Sequence, residues 1–289
     1  MTDTLPMPIP APLTPAQRSS ILNLIRRAAR AEILPRFRAL SRAEIDTKSG
    51  PQDLVTEADR AAERMIARGL VQMFPNALIV GEEDVAANPE VVDQIAHAEM
   101  AFTIDPVDGT WNYAHGLTTF GVILSMTRYG QPVFGLLYDP VMDDAIVADR
   151  EGPAQMLRPR LPAKTLTTST GGSAETLSGY VPLYNAPKKR RPALADTFTR
   201  FARVMNLRCA CHEFRMVAQG HADFILSTFL TPWDHAAGAL IVARAGGHVS
   251  MLDGSEYRAD RRKGYLLCAA NAETWARVRD VFGFLLDDE

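Results

Sequence analysis

Apolar positions recur along this chain with two periods, and the change from one to the other marks out its elements. Ile21, Leu22, Ile25, Ala28, Ala29 and Ile33 follow three- and four-residue spacing, which predicts a helix with one apolar face. Thr14 supplies its N-cap, Pro15 its first position and Gln17 a capping box; Pro35 ends it. A second helix is predicted from Thr56 through Ala62, Met65, Ile66 and Leu70 to Met73, and the polar segment 46–52 between the two reads as a connector loop. From Ala77 the period shortens. Strands are predicted at 77–80, 101–104, 119–128, 132–138 and 144–149, with a hairpin at Tyr129, Gly130 and Gln131.

After Gly152 the composition changes: Pro153, Pro159 and Pro162 precede a run rich in Thr, Ser and Gly at 165–173. This predicts a flexible N-terminal tail (1–13), a first lobe (14–152) and a second lobe (153–289). In the second lobe the pattern predicts a strand at 179–183, a helix at 192–204, a helix at 234–245, strands at 248–252 and 265–269, and a last helix at 272–284. No internal repeat or low-complexity segment interrupts it.

At 289 residues, 47% hydrophobic and 22% charged, the chain has the make-up of a water-soluble globular protein with a substantial core. A net charge of −3 argues against nonspecific nucleic-acid binding, since Lys188, Lys189, Arg190 and Arg191 form the one basic run of four and read as a solvated loop. No apolar run is long enough to span a membrane, and residues 1–13 lack the apolar stretch of a signal peptide. The three cysteines, Cys209, Cys211 and Cys268, make no disulfide framework and point to the cytoplasm. Cys209, Cys211 and His212 lack a second ligand pair at zinc-site spacing and receive no metal role.

The stretch that calls for a chemical explanation is 104–113. The strand-like run 101–104 stops at Asp105, Pro106 forces a turn, and Asp108 follows before Gly109 and Thr110. Asp-Pro and Asp-Gly are ordinary turn dipeptides, and alone the stretch reads as a surface turn. Further acids change that picture. Asp59 follows Asp53, Leu54, Val55 and Thr56; Glu82 and Glu83 follow the strand at 77–80; Asp234 lies between Trp233 and His235. Acids crowded at element ends need a cation between them, and a hard divalent ion, Mg²⁺ above others, suits carboxylate oxygens. Asp59, three residues after a Thr, has a second reading as a helix-capping acid.

Four pieces in this order resemble the inositol monophosphatase family of metal-dependent, typically lithium-sensitive phosphatases. They are Lys48 with Asp53 to Asp59; Gly81, Glu82, Glu83; Asp105 to Tyr113; and Trp233, Asp234, His235, Ala236, Ala237, Gly238. The resemblance implies a layered α/β (α+β) sandwich, αβαβα, in two lobes with the active site between them, and a homodimer. It also implies hydrolysis of a small-molecule phosphate monoester by activated water with two or three Mg²⁺ ions, one lowering the water's pKa and another steadying the leaving oxygen. Glu82, Asp105 and the Val107 carbonyl would hold the first ion, and Asp105, Asp108 and Asp234 the second. Asp59 would approach a third, bordered by Lys48 and Asp53. Glu82 and Thr110 would orient the water, the Thr hydroxyl relaying its proton towards the carboxylate. The N–H groups of Gly109 and Thr110 would receive phosphate oxygens. Trp111, Tyr113 and Trp233 read as packing residues and His235 as a satisfied helix-start histidine.

The second lobe departs from this pattern. Inositol-specific relatives carry an acid seven residues before the Trp-Asp aspartate, where this chain has Ser227; their Gly-Ser-Ala-Ala is replaced by Arg208, Cys209, Ala210 and Cys211, with Glu213 and Arg215 close behind. Glu213 or Arg215 would then read the alcohol or a second phosphate, with surface and core-edge roles as the other reading. Inositol phosphate is the nominal substrate. Histidinol phosphate, bisphosphorylated nucleotides and fructose bisphosphate are its rivals, and a non-catalytic phosphate-binding or regulatory protein is the reading from another class.

Overall fold

The computed structural model describes residues 13–50 and 52–287. The N-terminal tail expected over 1–13 lies outside them except for Leu13, which is buried. Thr14 caps α1 (Pro15–Ala28) in a reciprocal box, its hydroxyl accepting the Gln17 N–H while the Gln17 side chain accepts the Thr14 N–H. The predicted apolar face is buried in full, and the helix widens over Ala29–Ile33 before Pro35 closes it. The segment expected as a connector is instead a hairpin, β1 (Ile45–Gly50) antiparallel to β2 (Asp53–Thr56). Polar residues hide it from a hydrophobic pattern because, among its described residues, only Val55 and Thr56 at its foot are buried.

Helix α2 (Glu57–Met73) leads to β3 (Leu78–Gly81), the short α3 (Glu82–Ala87) and β4 (Ala101–Asp108). A single turn, α4 (Thr110–Ala114), precedes β5 (Gly121–Arg128), β6 (Gln131–Asp139) and β7 (Asp144–Asp149). The expected hairpin joins β5 to β6, with Tyr129 and Gly130 both at positive φ. Past Gly152 the same sheet continues through β8 (Gln155–Leu157) and β9 (Lys164–Thr165), giving seven strands in order β3-β4-β5-β6-β7-β8-β9. Only β3 and β4 run parallel.

The remaining elements are β10 (Ser178–Tyr180), α5 (Arg191–Thr197), β11 (Arg203–Met205), α6 (Ala210–Ala218), β12 (Phe224–Ser227), α7 (Pro232–Arg244), β13 (His248–Met251), β14 (Leu266–Ala269) and α8 (Ala272–Phe282). Their strands form a second sheet, β11-β10-β12-β14-β13. The helix expected over 192–204 is corrected: it ends at Thr197, and after one 3-10 turn Arg203–Met205 joins the sheet beside β10. An apolar run of that length does not distinguish a helix from a helix followed by an edge strand.

Strand alternation sorts the side chains into layers. On β5, Val122, Leu124 and Met126 pack with α1 and α2, while Ile123 faces the opposite way towards α6 and α7. On β12, Ile225 joins that middle helix layer, whereas Phe224 and Leu226 pack with Val278 and Phe282 of α8. The order is therefore αβαβα: α1 and α2, the first sheet, α6 and α7, the second sheet, then α5 and α8.

Candidate active site

The strand expected to stop at Asp105 runs on to Asp108. Asp105 pairs with Ile123 and Asp108 with Gly121, so three steps on β4 oppose two on β5, a bulge of one residue. Pro106, which has no N–H to give a ladder, lies within the interruption. Residues three apart on an unbroken strand face opposite sides; the extra residue offsets that alternation, and the Asp108 charge reaches Asp105.

Two other elements bring acids to this strand end. Because β3 lies beside β4 with Gly81 opposite Ile104, Glu82, the first residue of α3, emerges next to Asp105. Helix α7 crosses β4 to β7 and starts at Pro232, whose carbonyl accepts the Thr103 hydroxyl at 3.3 Å. That start presents Asp234, which accepts the Thr231 hydroxyl at 2.5 Å. One carboxylate oxygen from each of Glu82, Asp105 and Asp234 lies within 4.8 Å of the other two. Burial raises the Asp105 carboxyl well above its ordinary pKa, and the charges of Glu82, Asp108 and Asp234 raise it further. Burial also raises Glu82, where Lys48 opposes the shift and Asp234 adds to it. Oxygens alone, acidic, mutually repelling and largely withdrawn from water, are the donor set that a hard divalent cation satisfies.

Asp108 is held from the start of α6. Its Oδ2 accepts the Cys211 N–H at the start of α6 and lies 3.2 Å from the Cys209 Sγ. Burial pushes its pKa up to about 7, Asp234 adds to this, and the α6 donors pull it back. Here the Cys209 and Cys211 pair finds its use: their backbone and thiol grip an acid, and all three cysteines are free and buried.

Asp59 combines the capping role with a contact to the site. Its Oδ2 accepts the Thr56 N–H at 2.9 Å in the α2 capping box, and its Oδ1 accepts the Thr110 hydroxyl at 3.0 Å. The carboxylate that Thr110 touches is therefore Asp59; the Val107 carbonyl also lies 3.0 Å from that hydroxyl. Gly109 adopts φ 89°, and a Cβ there would fall 2.9 Å from the Thr119 carbonyl oxygen, so both conformation and space demand glycine. Lys48 donates to Glu82 at 2.7 Å and to Glu83 at 2.6 Å. Burial works against its ammonium, yet the two acids hold its pKa above the ordinary range.

A model of the inositol monophosphatase family matches residues 17–281. The chain belongs to the inositol monophosphatase family. The inositol-1-monophosphatase of Mesorhizobium japonicum is 33% identical over 249 residues, 83% of this chain and 88% of that protein. Nus factor SuhB of Escherichia coli is 30% identical over 247 residues, 81% of this chain and 86% of its own. The fold matches that of an inositol monophosphatase from Zymomonas mobilis at a TM-score of 0.76, over 94% of this chain and all (100%) of that one, with 20% identity.

The inositol monophosphatase fold does not bring every expected substrate residue to the acid cluster. Arg215 is buried against the first sheet, donating to Asp144 and, at 3.0 Å, to the Leu137 carbonyl; its guanidinium is committed to those partners, which corrects the expectation that it reads substrate. Glu213 is buried and accepts the Leu207 N–H at 2.6 Å; burial pushes its pKa up to about 8, and it holds the turn before α6. Ser227 is buried at the end of β12, paired with Leu266. Asp53 heads β2 opposite Gly50, on the hairpin that carries Lys48. Tyr113 packs, as expected, its hydroxyl donating to the Ile33 carbonyl at 2.7 Å, and the His235 Nδ1 lies 2.7 Å from the Thr231 carbonyl at its own helix start. Asn112 does not stand out in the sequence, yet its amide donates to the Thr119 and Leu207 carbonyls at 2.9 and 2.8 Å and ties the chain before β5 to the turn before α6. Its one signal is a polar residue inside an otherwise aromatic run.

Proposed function

We propose that this inositol monophosphatase family member is a Mg²⁺-dependent phosphatase of a small-molecule phosphate monoester, with water as the nucleophile. The convergence of Glu82, Asp105 and Asp234 carries this reading. Glu82, Asp105 and the Val107 carbonyl would hold one ion, and Asp105, Asp108 and Asp234 a second. Bound there, Mg²⁺ supplies a lowered pKa for water and a counter-charge for the phosphate. The chain's own residues do the rest. Gly109 keeps the backbone bare where phosphate oxygens arrive at the Gly109 and Thr110 N–H groups. The Thr110 hydroxyl, fixed between Asp59 and the Val107 carbonyl, takes up the water's proton as Asp59 accepts its own.

The nominal substrate is an inositol phosphate, as for the Mesorhizobium relative; Ser227 in place of an acid favours testing histidinol phosphate, bisphosphorylated nucleotides and fructose bisphosphate beside it. Likeness to Nus factor SuhB keeps a non-catalytic role as the second reading. The Thr110 and Asp59 pair favours catalysis, because a binding protein needs no proton acceptor for water.

The experiment is phosphate release from that panel with Mg²⁺, with EDTA, and with Asp105→Asn. Replacing a ligand shared by both ions should cost more than the roughly 10–100-fold typical of outer partners. Full activity of the variant would remove the proposed site, and silence of the Mg²⁺-loaded protein across the panel would favour the binding role.

A further inference from the structure

Among the described residues, one cation at the rim of this site has uncharged partners alone. Arg208 lies in the turn between β11 and α6, at φ 54°, immediately before Cys209, whose Sγ lies 3.2 Å from Asp108. Its guanidinium sits over the Trp111 ring, 4.2 Å from the centroid, and Trp111 is the residue after Thr110. Trp111 also stacks with His115, ring centroids 4.0 Å apart. The guanidinium nitrogens donate to Gln52, at 2.9 Å to the side-chain oxygen and 3.1 Å to the carbonyl, joining the second lobe to the tip of the β1–β2 hairpin. Among the described residues no carboxylate forms an ion pair with Arg208, in contrast to Arg215, which has Asp144. Arg208 is nonetheless exposed, so a ligand can reach it.

Stacking on an aromatic face fixes the plane of a guanidinium and leaves its N–H edge free to form paired hydrogen bonds. A carboxylate or phosphate presents two oxygens to that edge and makes stronger, charge-assisted bonds than the amide and carbonyl of Gln52. We propose that Arg208 is a specificity-determining residue that reads a second anionic group on the substrate, displacing Gln52 as it binds. This rests on the phosphatase reading and narrows it to phosphate esters whose alcohol portion carries a further phosphate or a carboxylate. The backbone at 208 favours this placement. Its positive φ turns the chain sharply, so the Arg208 carbonyl comes within 3.3 Å of a Cβ built on Gly109 while the side chain crosses to the hairpin. Burial lowers the pKa of the guanidinium, though an arginine remains charged.

The test uses three phosphonates that share a three-carbon spacer and differ at the far end: 3-hydroxypropylphosphonate, propane-1,3-bisphosphonate and 4-phosphonobutanoate. None can be hydrolysed, so affinity is read by calorimetry on the Mg²⁺-loaded full chain whether or not turnover occurs. Wild type is expected to bind the phosphonate-ended and carboxylate-ended ligands about tenfold more tightly than the hydroxyl-ended one, in line with one charge-assisted contact. The larger of the two ratios identifies the anion. Arg208→Gln should bring both ratios below about twofold, Arg208→Lys should leave an intermediate value, and Gln52→Ala, which removes the side-chain half of the latch and not the cation, should keep or raise the wild-type ratios. Wild-type ratios near one, or ratios unchanged in Arg208→Gln, would overturn the proposal. A phosphatase reading that fails alone shows itself differently, as preserved ratios with no phosphate released from any ester.

Discussion

Glu63 illustrates how one residue outside the cleft sets the direction of another inside it. Its carboxylate accepts the N–H groups of Glu83 and Asp84 at 2.9 and 3.0 Å, fixing the first turn of α3, which presents Glu82. A Cβ on Gly81 would lie 2.2 Å from the Glu63 carboxyl carbon, so the glycine gives the acid its place. Glu63→Ala should cost about 1–3 kcal/mol for the donors left unmet and weaken Mg²⁺ binding roughly 10–100-fold, both measurable by denaturation and metal titration. An unaltered metal titration would show that Glu82 holds its direction unaided. Burial pushes Glu63 up to about 7 from an ordinary 4.5, and the sign follows: its stabilising share is full below pH 4.5 and is lost as pH rises through 7. Glu63→Gln should remove that share of the pH slope in the metal-free protein. The acids of 105–113 were legible because they break an apolar run. Glu63 was not, although it lies four residues after Asp59 on the buried side of α2, and two acids at that spacing among Ala58, Ala62 and Ile66 were its signal.

Elements show where local rules and tertiary structure part. Pro106 makes β4 read as two pieces, since proline ends ladders, and the sheet absorbs it as a bulge that no pattern of apolar residues records. The β1–β2 hairpin is hidden from the apolar pattern for the opposite reason: its residues are polar, and its Lys48 reaches Glu82 and Glu83. Lys48→Met should therefore lower the melting temperature of the metal-free protein more than that of the Mg²⁺-loaded protein, because added cations replace the lost ammonium. Equal losses in both states would show that the ammonium does not act as a counter-charge there. The turn into α4 depends on one backbone conformation, and Gly109→Ala should cost at least about 1–2 kcal/mol for its left-handed φ alone. It should also lower kcat by displacing Thr110, while an alanine variant of wild-type activity would exclude the Gly109 backbone as a phosphate seat. Element ends that carry caps are legible in the sequence, as Thr14 with Gln17 and Thr56 with Asp59 show.

At the scale of the whole molecule, the layers bring together acids from residues 59 to 234 that no local interaction would gather. The layer order was legible through the resemblance, and the grip of α6 on Asp108 was not, since Cys209 and Cys211 act through a backbone N–H and a thiol contact that residue type does not announce. Gathering the acids costs stability that bound cations would restore. Glu83 and Glu213 are each pushed up to about 8 and Asp108 to about 7, chiefly by burial, so metal-free stability should fall between pH 5 and 8 as these groups give up protons the fold favours. On the proposed reading Mg²⁺ would displace the proton of Asp108 as it binds, so its stabilising effect should grow over the same range, towards roughly 2.7 kcal/mol at a hundredfold excess over Kd. A thermal-shift series with and without Mg²⁺ checks this, and a Mg²⁺ effect independent of pH would contradict it. The most direct test is the anomalous signal of Mn²⁺ in crystals of the wild type and of Asp105→Asn. A peak within about 2.0–2.3 Å of oxygens of Glu82, Asp105 and Asp234, lost in the variant, is the result expected. Manganese bound elsewhere, or bound at the cluster with Asp105 removed, would contradict a site built from these three carboxylates.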